Sequence, residues 1–306
     1  MKRILHILCV LLVCLTAVGP LSVGAVNPID PQQPASLTIR YRYEDLELSG
    51  LTCSVYRVAE VSPDGTYTLT GDFAAYPVNI YGVTSQAEWK NIASTLSAYI
   101  AADGLAPTGS LVTDANGTVA FTQLMPGMYL IQPVTVQNPD AVLTFEAFVT
   151  LLPYPQEDGN HNYDVTAVPK VQRYTPTPTP LEYKVVKQWK DLGHTTQRPE
   201  SVTVDILKDG QVQSTQILAR DNNWCYSWTA PDDGSVWQAV ERSVPKDYTV
   251  TVVTRDSTII ITNIYESEPE PPKTGETMVL WPYMLLLCFS GGCLILLSVW
   301  RMRKEQ

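Results

Sequence analysis

This sequence predicts an all-β chain of two tandem sandwiches, the first with one inserted helix. Short β-branched and aromatic segments recur through residues 34–170 and again through 181–265, separated by turn signals such as Asp64-Gly65 and Asn116-Gly117. A single segment, near residue 90, keeps a helical rather than an alternating period. Between the two β-rich stretches, residues 171–180 contain the run Thr175-Pro176-Thr177-Pro178-Thr179-Pro180, which favours an extended polyproline conformation and reads as a stiff spacer.

The elements follow in order. Lys2 and Arg3 precede an apolar stretch from Ile4 to Val18, and Val23-Gly24-Ala25 offers small residues for cleavage, so residues 1–25 read as a secretory signal peptide. A lipoprotein reading of Cys14 is set aside, because Leu12-Val13 lacks the small residue wanted before that cysteine. Ser36–Tyr41, Leu51–Val58, Thr118–Phe121 and Met128–Ile131 are the predicted strands of the first domain. Trp89, Ile92, Ala93, Leu96, Tyr99 and Ile100 share one helical face, and Ser85 with Glu88 has the spacing of a capping box at its start. Beyond the second domain, residues 266–276 begin as an acidic, Pro-rich tether. Residues 277–300 then contain an apolar run, Met278 to Trp300, of about 23 residues, enough to cross a bilayer. The basic residues of 301–306, Arg301, Arg303 and Lys304, hold that end in the cytoplasm.

Charge and composition exclude several classes. Residues 26–275 carry 16 Lys and Arg against 29 Asp and Glu, an excess of 13 negative charges, which argues against nucleic acid or an anionic membrane surface as partner. Of six cysteines, Cys9 and Cys14 lie in the signal and Cys288 and Cys293 in the span. Cys53 and Cys225 remain, one in each expected domain, so a disulfide framework is not the expected source of stability. His161 and His194 have no Cys, His or carboxylate spacing suited to a metal, Asp114-Ala115-Asn116-Gly117 reads as a turn rather than a calcium loop, and no Gly-rich phosphate loop is present. No metal, no cofactor and no enzymatic site toward an outside substrate are expected.

The carboxy-terminal pieces take on meaning together. Pro271-Pro272-Lys273-Thr274-Gly275, followed by the span and the basic stop, resembles the sorting signal read by Gram-positive sortases, usually Leu-Pro-x-Thr-Gly, with Pro271 standing for the leucine. The resemblance implies that a sortase cysteine attacks the Thr274 carbonyl, releases Gly275 onward, and passes Thr274 to an amine on peptidoglycan or on another pilin subunit.

In the first domain, Gly50 to Ala59, Phe121 to Leu130, and the stretch from Phe148 through Asn162 to Lys170 resemble the amino-terminal domain of SpaA-type pilins. That family presents a subunit-joining lysine in a Trp-x-x-x-Val-x-Val-Tyr-Pro-Lys motif. Val165, Pro169 and Lys170 match it, whereas His161, Ala167 and Val168 replace the tryptophan, valine and tyrosine. The resemblance makes Lys170 the candidate pilin lysine; as a plain residue it is a solvated linker lysine.

In the second domain, Tyr183 to Asp191, Arg198 to Val204, Asn223-Trp224, Trp228 and Ile259 to Tyr265 resemble the B-type (Cna-B) domain of collagen adhesin, an immunoglobulin-like or prealbumin-like sandwich. Trp237 to Tyr248 resembles the pilin E-box, with Trp237, Ala239 and Asp247 in place of tyrosine, leucine and glycine. Such domains staple themselves with an isopeptide bond, and motif position implies Lys187 and Asn263 as its ends and Glu241 as its helper. The residues alone point the same way. Val185, Lys187 and Trp189 share a face of an alternating strand, so Lys187 points where an apolar side chain is expected. A buried lysine tends to lose its proton and become nucleophilic, and a buried glutamate tends to gain one. The plainer alternative is a Lys187–Glu241 salt bridge, or a snorkelling Lys187. In the first domain Arg40 and Arg42 stand where such a lysine would be, and guanidinium stays protonated, so no staple is expected there.

The sequence therefore predicts an extracellular, wall-anchored structural protein, a minor or basal pilus subunit joined by sortase, whose only catalysis is a single self-linking turnover. The alternative is a monomeric wall-anchored adhesin with a host protein or glycan as ligand. A third reading is a protein that keeps its membrane span.

Overall fold

The computed structural model describes residues 27–138, 141–177 and 179–265; the expected signal peptide, sorting motif, span and tail lie outside the described residues. Among the described residues no helix is long and apolar enough to cross a membrane.

The amino-terminal sheets form where alternation is strongest. Strand β1 (Ala35–Arg40) turns Ala35, Leu37 and Ile39 inward. Strand β2 (Thr52–Val61) and helix α1 (Gln86–Asp103) follow, then β3 (Thr118–Leu124), β4 (Gly127–Ile131), β5 (Phe148–Leu152) and β6 (Asp164–Ala167). One sheet has the order β6-β1-β3, with β6 parallel to β1; a second runs β5-β4-β2 and continues to Tyr67–Leu69. A third joins Val171–Tyr174, Ala141–Phe145 and Val134–Asn138. Leu37, Ile39, Tyr41, Val55, Phe121, Tyr129, Ile131 and Phe145 fill the space between these sheets. The turn at Asn116-Gly117 needs its glycine: Gly117 has φ +66°, and a Cβ there would collide with the Tyr41 carbonyl.

All five residues of β4 are buried, because the strand is covered on both faces. Tyr129 and Ile131 join the core just described, while Met128 and Leu130 face a second one with α1. Helix α1 starts at the capping box the sequence suggests: Glu88 N–H donates to Ser85 Oγ at 3.2 Å, and Ser85 N–H to Glu88 Oε2 at 3.0 Å. It ends at Gly104, which is left-handed. The predicted stripe is buried, with Trp89 partly so, yet Thr95, Ser97 and Ala98 are buried as well. A single packing face cannot bury them; α1 is covered on more than one side.

The second cover comes from the carboxy-terminal sheets. Strands β7 (Leu181–Lys190), β8 (Ser201–Lys208), β9 (Gln211–Ala219), β10 (Cys225–Ala230), β11 (Trp237–Glu241), β12 (Tyr248–Arg255) and β13 (Thr258–Tyr265) form two sheets, ordered β10-β7-β13-β12 and β9-β8-β11. The first and last of these strands, β7 and β13, pair in parallel, Lys187 opposite Ile261 and Trp189 opposite Asn263. Val185, Val204, Ile206, Leu207, Ile259 and Ile261 belong to one apolar cluster with Ile92, Leu96 and Ile100 of α1. The edge strands β11 and β12 both contact the helix. Two outward amides of β12 are satisfied from the amino-terminal half: Val250 N–H donates to the Pro77 carbonyl at 2.7 Å and Val252 N–H to Thr95 Oγ1 at 2.8 Å.

Among the described residues no strand pairing joins the amino-terminal sheets to the carboxy-terminal ones, yet the chain through Tyr265 packs as one unit. The Thr-Pro run is held down on it. Buried Asp232 accepts from Thr177 N–H at 2.8 Å, from Thr177 Oγ1 at 2.7 Å, and from the Tyr174 hydroxyl. A stiff spacer was the expectation from composition; a polar anchor 55 residues away in sequence gives the run a docked path.

Candidate functional site

Lys187, Glu241 and Asn263 come together between the carboxy-terminal sheets. Period-two alternation turns Val185 and Lys187 of β7 inward, and likewise Ile259, Ile261 and Asn263 of β13. Because β7 and β13 run side by side, Lys187 and Asn263 lie on one face, two residues apart in register. Glu241 ends β11 and approaches from the opposite sheet. The Lys187 and Glu241 side chains are 0% exposed, as is Asn263.

One carboxyl group touches both partners. Asn263 Nδ2 donates to Glu241 Oε1 at 2.8 Å, and Lys187 Nζ stands 3.6 Å from Glu241 Oε2, an ion-pair distance too long for a hydrogen bond. Lys187 Nζ donates to the Gln188 carbonyl at 2.8 Å and sits 3.9 Å from the centre of the Trp189 ring. Glu241 Oε2 and Asn263 Oδ1 are buried without hydrogen-bond partners, each a cost of about 1–3 kcal/mol. Burial pushes the Lys187 ammonium down to about 8, opposed by the nearby Glu241 charge. Burial also pushes the Glu241 carboxyl up, opposed by Lys187 and by the Asn263 hydrogen bond. Both shifts favour a neutral amine beside a neutral acid.

The surroundings keep water out. Trp189 packs edge-on against Trp224 and Tyr248, with ring centres 5.4 and 5.5 Å apart. Beyond it, Asp191 accepts from Arg198 Nε at 2.6 Å and Nη2 at 2.9 Å. From the amino-terminal half, the Tyr99 hydroxyl donates to the Glu241 backbone carbonyl at 3.1 Å in a buried contact. The helical period identifies Tyr99 as core-facing, but its partner lies 142 residues away, and no local signal names it.

Lys170 stands apart from this cluster, exposed three residues beyond β6; its carbonyl accepts from Glu146 N–H at 3.0 Å. Val168, two residues before it, lines an open cleft of about 540 Å³ with Arg40, Arg42, Glu47, Asp114, Asn116 and Thr118. Pro271, Pro272, Lys273, Thr274 and Gly275 lie outside the described residues. Cys53 and Cys225 are both free thiols, Cys53 buried against the Tyr41 hydroxyl. Among the described residues no group of three or more His, Cys, Asp or Glu is placed to hold a metal ion.

A lysine on the first strand, an asparagine on the last and a glutamate between them distinguish the carboxy-terminal sandwich. Residues 183–264 match the Cna protein B-type domain. Two curated proteins are similar over a longer stretch. The collagen adhesin of Staphylococcus aureus is 32% identical over 122 residues, 37% of this chain and 10% of that protein. A fimbrial subunit type 1 of Actinomyces viscosus is 31% identical over 155 residues, 47% of this chain and 27% of that protein. The chain thus spans about a tenth and about a quarter of these relatives. Among solved structures, the major pilin SpaD of Corynebacterium diphtheriae aligns at 17% identity and TM-score 0.31, covering 77% of this chain and 65% of that one. A single B repeat of the staphylococcal adhesin aligns at 16% identity and TM-score 0.27, covering 77% and 99%.

Proposed function

We propose that the B-type domain links Lys187 Nζ to Asn263 Cγ through an amide, with Glu241 as proton carrier, and that the chain is a structural subunit displayed on a Gram-positive cell. The observation that carries this is the single Glu241 carboxyl in contact with both Lys187 and Asn263, with all three side chains buried. Transfer of a proton from the Lys187 ammonium to Glu241 leaves a neutral amine, which attacks the Asn263 carboxamide carbon. Exchanging the two ends of that carboxamide would set Oδ1 against the protonated Glu241, where it is polarised, and would give that orphaned oxygen a donor. In the collapse step the new C–N bond stays and the bond to Nδ2 breaks. Nδ2 takes the Glu241 proton and leaves as ammonia, while the linking nitrogen returns a proton to Glu241. Glu241 ends protonated, holding the proton the Lys187 ammonium gave up, and because Lys187 and Asn263 are consumed the reaction occurs once. Intact mass tests it: the purified chain weighs less than its sequence by one ammonia, and Glu241→Ala restores the full mass. A folded, aged wild type at full mass overturns the reading.

Display rests on the sorting-type motif. Sortase would transfer Thr274 to peptidoglycan or to another subunit, and exposed Lys170 would supply the amine that joins a neighbour. The two β-rich stretches and the Pro-rich tether support reading the chain as a minor or basal pilin. A second reading, a monomeric wall-anchored adhesin for a host protein or glycan, is favoured by the similarity to a collagen adhesin and by His161 standing where the pilin motif has tryptophan. Immunoblots of wall digests separate the two: a high-mass ladder supports the pilin, and one wall-linked band supports the adhesin.

A further inference from the structure

The carboxy-terminal sandwich is open on the side where its two sheets end in β11 and β12, and that side adjoins the cluster: Glu241 belongs to β11, and Asn263 is the register partner of Val250 on β12. Helix α1 closes it. On the β12 edge it satisfies Val252 N–H through Thr95. On the β11 edge two consecutive residues are held. Tyr99 donates to the Glu241 carbonyl at 3.1 Å, and the next residue, Arg242, pairs with Asp103 at the end of the same helix and with Asp205 of β8. Tyr99 is itself fixed: it is 5% exposed and stacks on Tyr76 at 4.4 Å, whose hydroxyl donates to Asp103 at 2.6 Å. The carbonyl that Tyr99 holds belongs to the residue whose side chain carries the proton in the proposed linkage.

We infer that Tyr99 is a positioning residue for the Lys187–Asn263 linkage, so that the crosslink site of the B-type domain is completed by the helix of the amino-terminal half. The inference rests on the proposed amide chemistry. β11 pairs with β8 on one side only, so without the Tyr99 hydroxyl its terminal carbonyl turns toward water and Glu241 swings with it. The consequence is kinetic: the reacting carboxyl spends less time against both partners, and water reaches it. The charged groups around the pair are Asp191 and Arg198 beyond β7, Asp205 on β8, Arg242 after β11 and Asp103 on α1. Asp191, Asp205 and Asp103 are each paired to an arginine, so they leave Glu241 and Lys187 as the unsatisfied titrating groups.

The test uses the full chain made by cell-free synthesis, with ammonia loss followed by intact mass against time and pH. Tyr99→Phe keeps the ring stack and removes one hydrogen bond, and is expected to slow ammonia loss about fivefold. The plateau of its pH–rate profile should fall and both limbs should move outward, toward ordinary carboxylate and amine values, because the site is wetter. A purely structural role would leave the limbs in place. Thr95→Val removes a comparable interface bond on β12 without touching Glu241 and should react at the wild-type rate. Equal rates and limbs for Tyr99→Phe and wild type overturn the inference while leaving the amide intact, as does equal slowing by Thr95→Val. A wild type that never loses ammonia instead refutes the underlying linkage.

Discussion

Glu241 and Asn263 meet from opposite sheets of the B-type domain at 2.8 Å, both side chains wholly shielded from water. An apolar trio at these positions would pack without desolvating a charge, and such replacements of buried ionic groups are often neutral or stabilising. The unlinked Lys187–Glu241–Asn263 cluster is therefore a poor way to hold two strands together. Its arrangement makes energetic sense as a reactant that a covalent bond replaces.

Glu241→Gln keeps the size and the contact to Asn263 but cannot carry a proton. The variant is expected to retain its full mass and to lose about 4 kcal/mol of unfolding free energy, because an amide from β7 to β13 closes a loop of roughly 75 residues. Denaturant titration beside intact-mass measurement checks this. A drop in stability with the ammonia still lost would assign the effect to packing.

A second expectation concerns pH. In Lys187→Met no amide can form, and the Glu241 carboxyl, already pushed up by burial, loses the cation that held it down. Its folded pKa then exceeds the unfolded value of about 4.3, so the group's stabilising contribution is complete below that pH and is lost as pH rises through the folded value. Melting temperature should fall as pH rises above the unfolded value, and the fall should vanish in Lys187→Met/Glu241→Gln. The difference between the two curves isolates Glu241 from the surface carboxylates. Parallel curves would show Glu241 solvated, contrary to its burial.

The alternation that predicts the strands also locates the site: Lys187 and Asn263 are legible as polar residues at inward positions, and they lie on one face, two residues apart in register. The helix is legible for the same reason, from a capping box and an apolar stripe. What α1 packs against was not legible. Thr95, Ser97 and Ala98 look like a solvent face in sequence, and they are buried because a second set of sheets lies on them. Small and hydroxylic side chains serve either role, and nothing local distinguishes a water partner from the Val252 amide. The Thr-Pro run misleads likewise, since its composition fixes its local conformation while Asp232 decides where it lies.

Asp232 gives the third prediction. Its carboxylate is buried and receives the Thr177 amide, the Thr177 hydroxyl and the Tyr174 hydroxyl, so Asp232→Ala strands a backbone N–H as well as two side chains. The expected loss is about 1–3 kcal/mol, with faster proteolysis between Tyr174 and Leu181. Limited proteolysis of variant and wild type reads the second effect directly. An equally resistant variant would mean that chain stiffness alone protects the run.

The last prediction separates the roles of two residues at opposite ends of the assembly reaction. Thr274 is the expected acyl donor and Lys170 the expected acceptor, so their variants should fail differently. Thr274→Ala removes the scissile residue, and the protein should remain in the detergent-extractable membrane fraction with its carboxy-terminal segment uncleaved. Lys170→Arg preserves charge and reach, but guanidinium does not deprotonate under these conditions and cannot attack an acyl-enzyme. That variant should still leave the membrane, yet no longer accept a further subunit, so the high-mass ladder should shorten while the wall-linked band persists. An unchanged ladder in Lys170→Arg moves the joining amine to another residue. A wild-type chain that never ladders, with normal wall linkage, would favour the monomeric wall protein over the pilin.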